Sequence, residues 1–205
     1  MKTIIDCPDS PFAQLILAHG AGADKHSEFM NTMASLLCKR GVKVIRFDFP
    51  YMLAAREKQK RQPPNRMPIL IDDFIDRVND ADTSLPLFVG GKSMGGRVAT
   101  MLPLEKQGKG VICLGYPFHP PRKPEKHRTE HLLVSEIATL IVQGERDTFG
   151  NRERIAQYAL SNAIEVKFLI AADHSFVPLK SSGLTLEQHM DAAANHIVEF
   201  MQGQL

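Results

Sequence analysis

The chain has 205 residues, a length that one folded domain accommodates comfortably. It is 43% hydrophobic and 23% charged with a formal net charge of +2, which excludes disordered and fibrous classes and leaves no overall acidic or basic character. No run approaches the roughly 20 apolar residues that cross a bilayer. The N-terminal MKTIIDCPDS has neither a long apolar region nor a small-residue cleavage site, so no signal peptide is expected. The three cysteines, Cys7, Cys38 and Cys113, form no CxxC and no metal-ligand spacing. A cytoplasmic protein without metal or cofactor is expected, with Cys38 and Cys113 as buried, inert thiols.

Along the chain, apolar runs alternate with amphipathic segments. Ala13–Ala18 is a short apolar run closed by His19-Gly20-Ala21-Gly22, which suits a strand buried on both faces. Ser27 can cap a helix over about Glu28–Arg40, with Phe29, Met33, Leu36 and Leu37 on its inner face and Gly41 as its stop. Val42–Phe47 reads as a strand, and Asp48–Met67 as a loop rich in proline and basic residues. Pro68 opens the next helix, where its missing N–H costs nothing. Ile71, Phe74, Ile75 and Val78 form the buried face of that helix.

Leu85–Val89 is the next strand, followed by a glycine-rich turn and a helix carrying Val98, Met101 and Leu102. Val111–Leu114 is a strand, and a second proline-rich loop runs from Tyr116 to about Arg128. Ala138–Val142 and Ile164–Ile170 complete the strands, with a helix near Arg152–Leu160 between them. A last helix over about Thr185–Met201 buries Leu186, Met190, Ala193, Ile197 and Phe200. No internal repeat and no Gly/Ser linker interrupts this order, so residues 1–205 form one domain. The alternation predicts an α/β fold, a doubly wound and mostly parallel sheet of about six strands with helices on both faces. Functional groups in such sheets gather beyond the carboxyl ends of the strands.

Gly91-Lys92-Ser93-Met94-Gly95 matches G-x-S-x-G in the context the motif requires, a strand before and a helix after. Ser93 is therefore the candidate nucleophile. A phosphate-binding loop is rejected, because its first glycine would fall at position 86, which is Pro86 and offers no N–H. A serine hydroxyl needs a neighbouring base. His174 follows the last strand and is the candidate. His189 and His196 sit on the terminal helix as partly exposed residues, His127 and His131 lie upstream of the candidate acid, and His119 follows the wrong strand. Asp147, after Ala138–Val142, is the candidate acid that would fix the histidine tautomer. Glu145 is a weaker alternative, and Asp173, adjacent to His174, is expected to point elsewhere. The backbone amides of Ala21 and Met94 are the candidate oxyanion-hole donors, and His19 is read as a structural holder of its loop.

Four segments, LILAHGAGA, FVGGKSMGGRVA, LIVQGERDTFG and AADHSF, together resemble the α/β-hydrolase superfamily. With FDFPYM and LGYPFHPP the pattern is similar to the small dienelactone-hydrolase-like, testis-expressed-protein-like group. The resemblance spans nearly the whole chain and implies a Ser–Asp–His hydrolase acting on carboxylic esters or thioesters. Two departures stand out. The antiparallel strands usual at the N-terminus are reduced or missing, and no long cap insertion precedes the acid, which implies a minimal fold with an open site.

Arg56, Lys58, Lys60, Arg61 and Arg66 form one basic loop, and Arg122, Lys123, Lys126 and Arg128 a second, against Glu57 and Glu125 alone. Such runs are usually solvated charge. Their sharper reading is attraction of an anionic ester or thioester to the catalytic edge. Gly22, Lys92, Tyr116, His119, Arg61 and Arg66 are the candidate substrate-lining residues. A nucleic-acid partner is not expected, since no basic helix face and no interleaved aromatics are present, nor is a membrane partner, since no apolar run is long enough to cross one. The expected activity is hydrolysis through an acyl-enzyme. A non-catalytic binding or scaffold module is the alternative, and peracid formation or C–C cleavage is a related chemistry on the same groups.

Overall fold

Side chains alternate across a strand, so an apolar strand with no polar gap needs cover on both faces. Every residue of β2 (Ala13–Ala18) is buried. Leu15 and Leu17 enter one apolar cluster, while Ile16 and Ala18 enter a second on the opposite face. α1 (Glu28–Cys38) and α6 (Leu186–Gly203) close the first cluster through Met33, Leu37, Ala193 and Ile197. α2 (Pro50–Glu57), α3 (Met67–Asn79) and α4 (Met94–Ala99) close the second through Tyr51, Phe74 and Val98. These placements come from a computed structural model, which describes residues 3–104 and 108–205.

The remaining strands are β1 (Ile4–Asp6), β3 (Val42–Phe47), β4 (Leu87–Lys92), β5 (Gly108–Leu114), β6 (Thr139–Gly144) and β7 (Ile164–Leu169). They form one seven-stranded sheet in the order β1-β3-β2-β4-β5-β6-β7. Every pairing is parallel except β1 with β3. Parallel neighbours end together, so the loops that leave β2, β4, β6 and β7 emerge on one edge. The mostly parallel, doubly covered α/β sheet without a large cap is as expected. The seventh strand is the short antiparallel β1, too brief to carry a period-2 signal.

Two further expectations change. The span Asp48–Met67 contains α2, where a loop was expected. Pro50 takes the first helical position, which suits its fixed φ, and Met52, Leu53, Ala54 and Ala55 are good helix formers. The basic, proline-rich composition on its C-terminal side hid that turn. Between β6 and β7 the helix α5 (Arg152–Ile155) is much shorter than the expected span.

Aromatic packing sets where α2 starts. The rings of Phe47 and Phe49 lie 5.0 Å apart, and those of Phe47 and Phe74 5.1 Å apart, both edge to face. Such contacts add about 0.5–1.5 kcal/mol each beyond burial. They lock the exit of β3 against α3 and so place Tyr51 beneath the loop that follows β2.

Candidate active site

β4 ends at Lys92 and α4 begins at Met94, which leaves a single residue for the reversal from strand to helix. That residue, Ser93, has φ 51° and ψ −111°, a strained conformation for a side chain with a Cβ. Glycine is required on both sides, at position 91 by the tightness of the turn and at position 95 by the neighbouring strand β2. A Cβ on Gly91 would lie 2.5 Å from the carbonyl carbon of Gly95. One on Gly95 would lie 2.7 Å from the carbonyl oxygens of both Ala18 and His19. Ser93 N–H donates to Leu114 O at 3.0 Å, continuing the β4–β5 ladder into the turn.

Ser93 Oγ lies 2.9 Å from His174 Nε2, and His174 Nδ1 lies 2.7 Å from Asp147 Oδ2. A carboxylate accepts only, so the hydrogen sits on Nδ1 and leaves Nε2 free to accept from the serine hydroxyl. Asp147 is 1% exposed, and its carboxylate is fully committed. Phe149 N–H donates to Oδ1 at 2.8 Å and Gln143 Nε2 to Oδ2 at 2.8 Å. Phe149 also covers the imidazole, with ring centroids 4.4 Å apart.

Residues 11–202 match the family described as the alpha/beta hydrolase domain. The chain belongs to that family. Its fold is similar to an alpha-beta serine hydrolase homologue from Coxiella burnetii, with TM-score 0.72, 16% identity, and coverage of 95% of this chain and 90% of that one. A lidless α/β serine hydrolase from Xanthomonas campestris gives TM-score 0.70 at 16% identity over 95% of this chain and 88% of that one. Dienelactone hydrolase from Anabaena variabilis gives TM-score 0.70 at 18% identity over 98% and 90%. Among the described residues of this α/β-hydrolase domain, no helix is long and apolar enough to cross a membrane.

Several groups hold the His174 turn of the hydrolase domain in place. Asp173 Oδ1 accepts from the amides of Ser175 at 2.8 Å and Val177 at 3.0 Å, so its carboxylate faces its own turn. His189, expected to be partly exposed, is buried instead, and its Nδ1 lies 2.8 Å from Phe176 O. Glu145 is taken up by Arg152 at 2.8 Å and by the Ala171 amide at 2.8 Å. The three cysteines are free, and only Cys113 is fully buried.

A cleft of about 880 Å³ opens above Ser93 and His174. Its walls are mainly apolar, from Phe29, Met30, Phe149, Val177, Leu186 and Met190. Gly20, Ala21 and Gly22 line it from the loop after β2. Ala21 N–H and Met94 N–H make no hydrogen bond among the described residues, as a donor to an external oxygen requires.

The six candidate lining residues separate. Gly22 and Lys92 reach the cleft. The Lys92 ammonium turns beneath it, bonded to His174 O and lying 5.2 Å and 5.5 Å from the rings of Phe29 and Phe176. Burial pulls its pKa down to about 8, against the opposing pull of Asp147 and Asp173. Arg61 flanks a shallow neighbouring recess with Ala21 and Gly22. Three expectations fail. Tyr116 is wholly buried, its hydroxyl donating to Arg128 O at 2.7 Å. His119 lies in a separate recess behind Asp147 with Arg122. Arg66 is the exposed residue that precedes α3.

The charge pattern divides likewise. Arg56 is spent on Asp24 at 3.2 Å and Asp48 at 3.0 Å. Among the described residues, Glu28 and Glu187 are the charged residues that line the cleft besides Lys92. Sequence reading missed Gln143, whose amide also takes the Tyr116 N–H at 2.7 Å. A polar side chain ending an apolar strand run was the available signal, because a buried amide must find partners.

Proposed function

We propose that this α/β-hydrolase-fold protein is a serine hydrolase that cleaves a carboxylic ester or thioester through an acyl-enzyme. The observation that carries the reading is the relay Ser93–His174–Asp147, at 2.9 Å and 2.7 Å, on a strained turn that points Ser93 Oγ into an apolar cleft. In this reading Ser93 Oγ attacks the acyl carbon while His174 Nε2 takes its proton. The tetrahedral oxyanion forms against the amides of Met94 and Ala21. Collapse breaks the bond to the leaving alcohol or thiol, which takes the proton back from His174. Water then attacks the acyl-enzyme with the same base, releasing the carboxylic acid and restoring Ser93.

The cleft walls favour an uncharged, apolar acyl or aryl group. Its lining carries Glu28 and Glu187, while Arg61 flanks the recess beside it, so anionic substrates gain little there. A fluorophosphonate probe is expected to label the wild type and neither Ser93→Ala nor His174→Ala. Equal labelling of all three, or none of the folded wild type, would overturn the assignment. A series of neutral and carboxylate-bearing esters then tests the preference, and a lower KM for the anionic series would reverse it.

A further inference from the structure

The loop after β2 contains no helix or sheet bonds of its own, yet two of its carbonyl oxygens are held from below. Tyr51 Oη lies 3.2 Å from Gly20 O and 3.2 Å from Ala21 O, a shared contact from one hydroxyl hydrogen. His19 Nδ1 lies 2.7 Å from Gly20 O. The tautomer is settled by the other ring nitrogen, since Phe49 N–H donates to His19 Nε2 at 3.1 Å and leaves the hydrogen on Nδ1. Further along, Lys25 N–H donates to Asp48 Oδ1 at 3.1 Å, so the loop is pinned at both ends.

A trans peptide is planar, and its N–H points opposite to its C=O. Gly20 O belongs to the peptide that carries the Ala21 N–H, and Ala21 O to the one that carries the Gly22 N–H. Both oxygens face Tyr51 beneath the loop, while the loop's other side lines the cleft. Neither amide makes a hydrogen bond among the described residues. Tyr51 itself is fixed. It is 4% exposed, its N–H donates to Asn65 Oδ1 at 2.8 Å, and its ring packs edge to face on His19 with centroids 5.8 Å apart.

We propose that Tyr51 is a positioning residue for the oxyanion site: its hydroxyl holds the Gly20 and Ala21 carbonyls down and thereby aims the Ala21 and Gly22 amides at the oxygen of the transition state. The inference rests on the acyl-enzyme reading and adds Gly22 N–H to the donors. Burial and the nearby Asp48 carboxylate push the Tyr51 hydroxyl well above its ordinary value of 10, so it keeps its hydrogen through the working pH range.

The test is Tyr51→Phe in the full chain, which keeps the ring and removes the hydroxyl. With a neutral aryl ester, kcat is expected to fall roughly tenfold or more, short of the roughly 10²–10³ lost with a whole oxyanion donor. KM should stay within about twofold, because ground-state binding in the apolar cleft is untouched. Affinity for a trifluoromethyl ketone, which forms a tetrahedral adduct on the serine, should fall with kcat/KM. An active wild type with unchanged kcat and ketone affinity in Tyr51→Phe overturns this inference alone. A wild type inert to esters and to the fluorophosphonate probe overturns the acyl-enzyme reading and this inference together. Should Tyr51→Phe fail to fold, the wild type decides. The Ala21 and Gly22 amide protons should shift downfield on ketone adduct formation, and unmoved resonances would refute the aim of those amides.

Discussion

Two loops meet at the candidate site, and they are shaped by different means. The turn after β4 is shaped mainly by its own backbone and by the strand beside it. Its glycines at positions 91 and 95 and the single residue between strand and helix leave one backbone path, and Ser93 has φ 51° as a result. The loop after β2 is shaped from outside. Its direction depends on Tyr51 from α2, Phe49 from the end of β3, and Asp48 beside it. Part of that constraint is internal, since a Cβ on Gly91 would meet Gly95 C at 2.5 Å and Gly96 N at 2.7 Å, and part is the close pass of β2 over Gly95. A loop that remote groups hold is correct only once the rest of the domain has assembled.

This contrast can be broken at the glycines. Gly95→Ala would set a Cβ 2.7 Å from two backbone oxygens that cannot move without shifting β2. We expect a loss of about 3 kcal/mol in urea unfolding, the upper end of overpacking costs. A midpoint within error of wild type would show that the turn yields. The next effect in size concerns Asp147. Gln143→Leu removes the amide that donates to Asp147 at 2.8 Å and accepts from Tyr116 N–H at 2.7 Å. Leaving a buried N–H and part of a carboxylate unpaired should cost about 2 kcal/mol and lower activity with it. Full stability in the Gln143→Leu variant would mean that another group satisfies Asp147.

A smaller effect is read from pH. The Lys92 pKa lies near 8 in the fold, below its ordinary value of 10.5, because burial disfavours the ammonium. Between those values the unfolded chain binds the proton and the folded one does not, so this group's contribution to stability rises with pH. The gain is at most ~1.4 kcal/mol per pH unit. Below pH 8 both forms are charged and the contribution is flat. The difference in unfolding free energy between wild type and Lys92→Met, measured from about pH 7 to 10.5, should therefore climb in favour of wild type. A level difference would place the ammonium in water. Gly20→Ala should do least. Its added Cβ meets Lys92 O at 3.4 Å and Ser93 Cβ at 3.7 Å, ordinary contact distances. A cost under about 0.5 kcal/mol in thermal unfolding is expected. A cost like that of Gly95→Ala would erase the distinction between the two loops.

Legibility followed the same division. The alternation of apolar runs and amphipathic segments specified the parallel sheet, because both periodicities are written in adjacent residues. Ser93, and the glycines around it, were readable for the same reason. His174 and Asp147 could be nominated by chain order at strand ends, and the structure brings them into line with Ser93. The helix α2 was not readable, because proline and basic residues beside it carry a stronger loop signal than a single buried aromatic. With α2 went Tyr51. Tyr116 and His119 follow β5 and Arg66 belongs to the basic loop after β3, and neither chain position nor charge tells which face of a loop a side chain takes.

Local patterning alone specifies the doubly covered parallel sheet, the tight turn at Ser93, and the strand ends from which the histidine and carboxylate come. These follow from sterics and from apolar patterning within a few residues. The packed fold alone reveals that Gln143 orders the Asp147 carboxylate, that Lys92 turns under the cleft, and that Tyr51 and His19 hold the loop opposite. Each depends on a buried polar group finding a partner from a distant segment, and such a pairing exists only where the packed sheet and helices bring the two together.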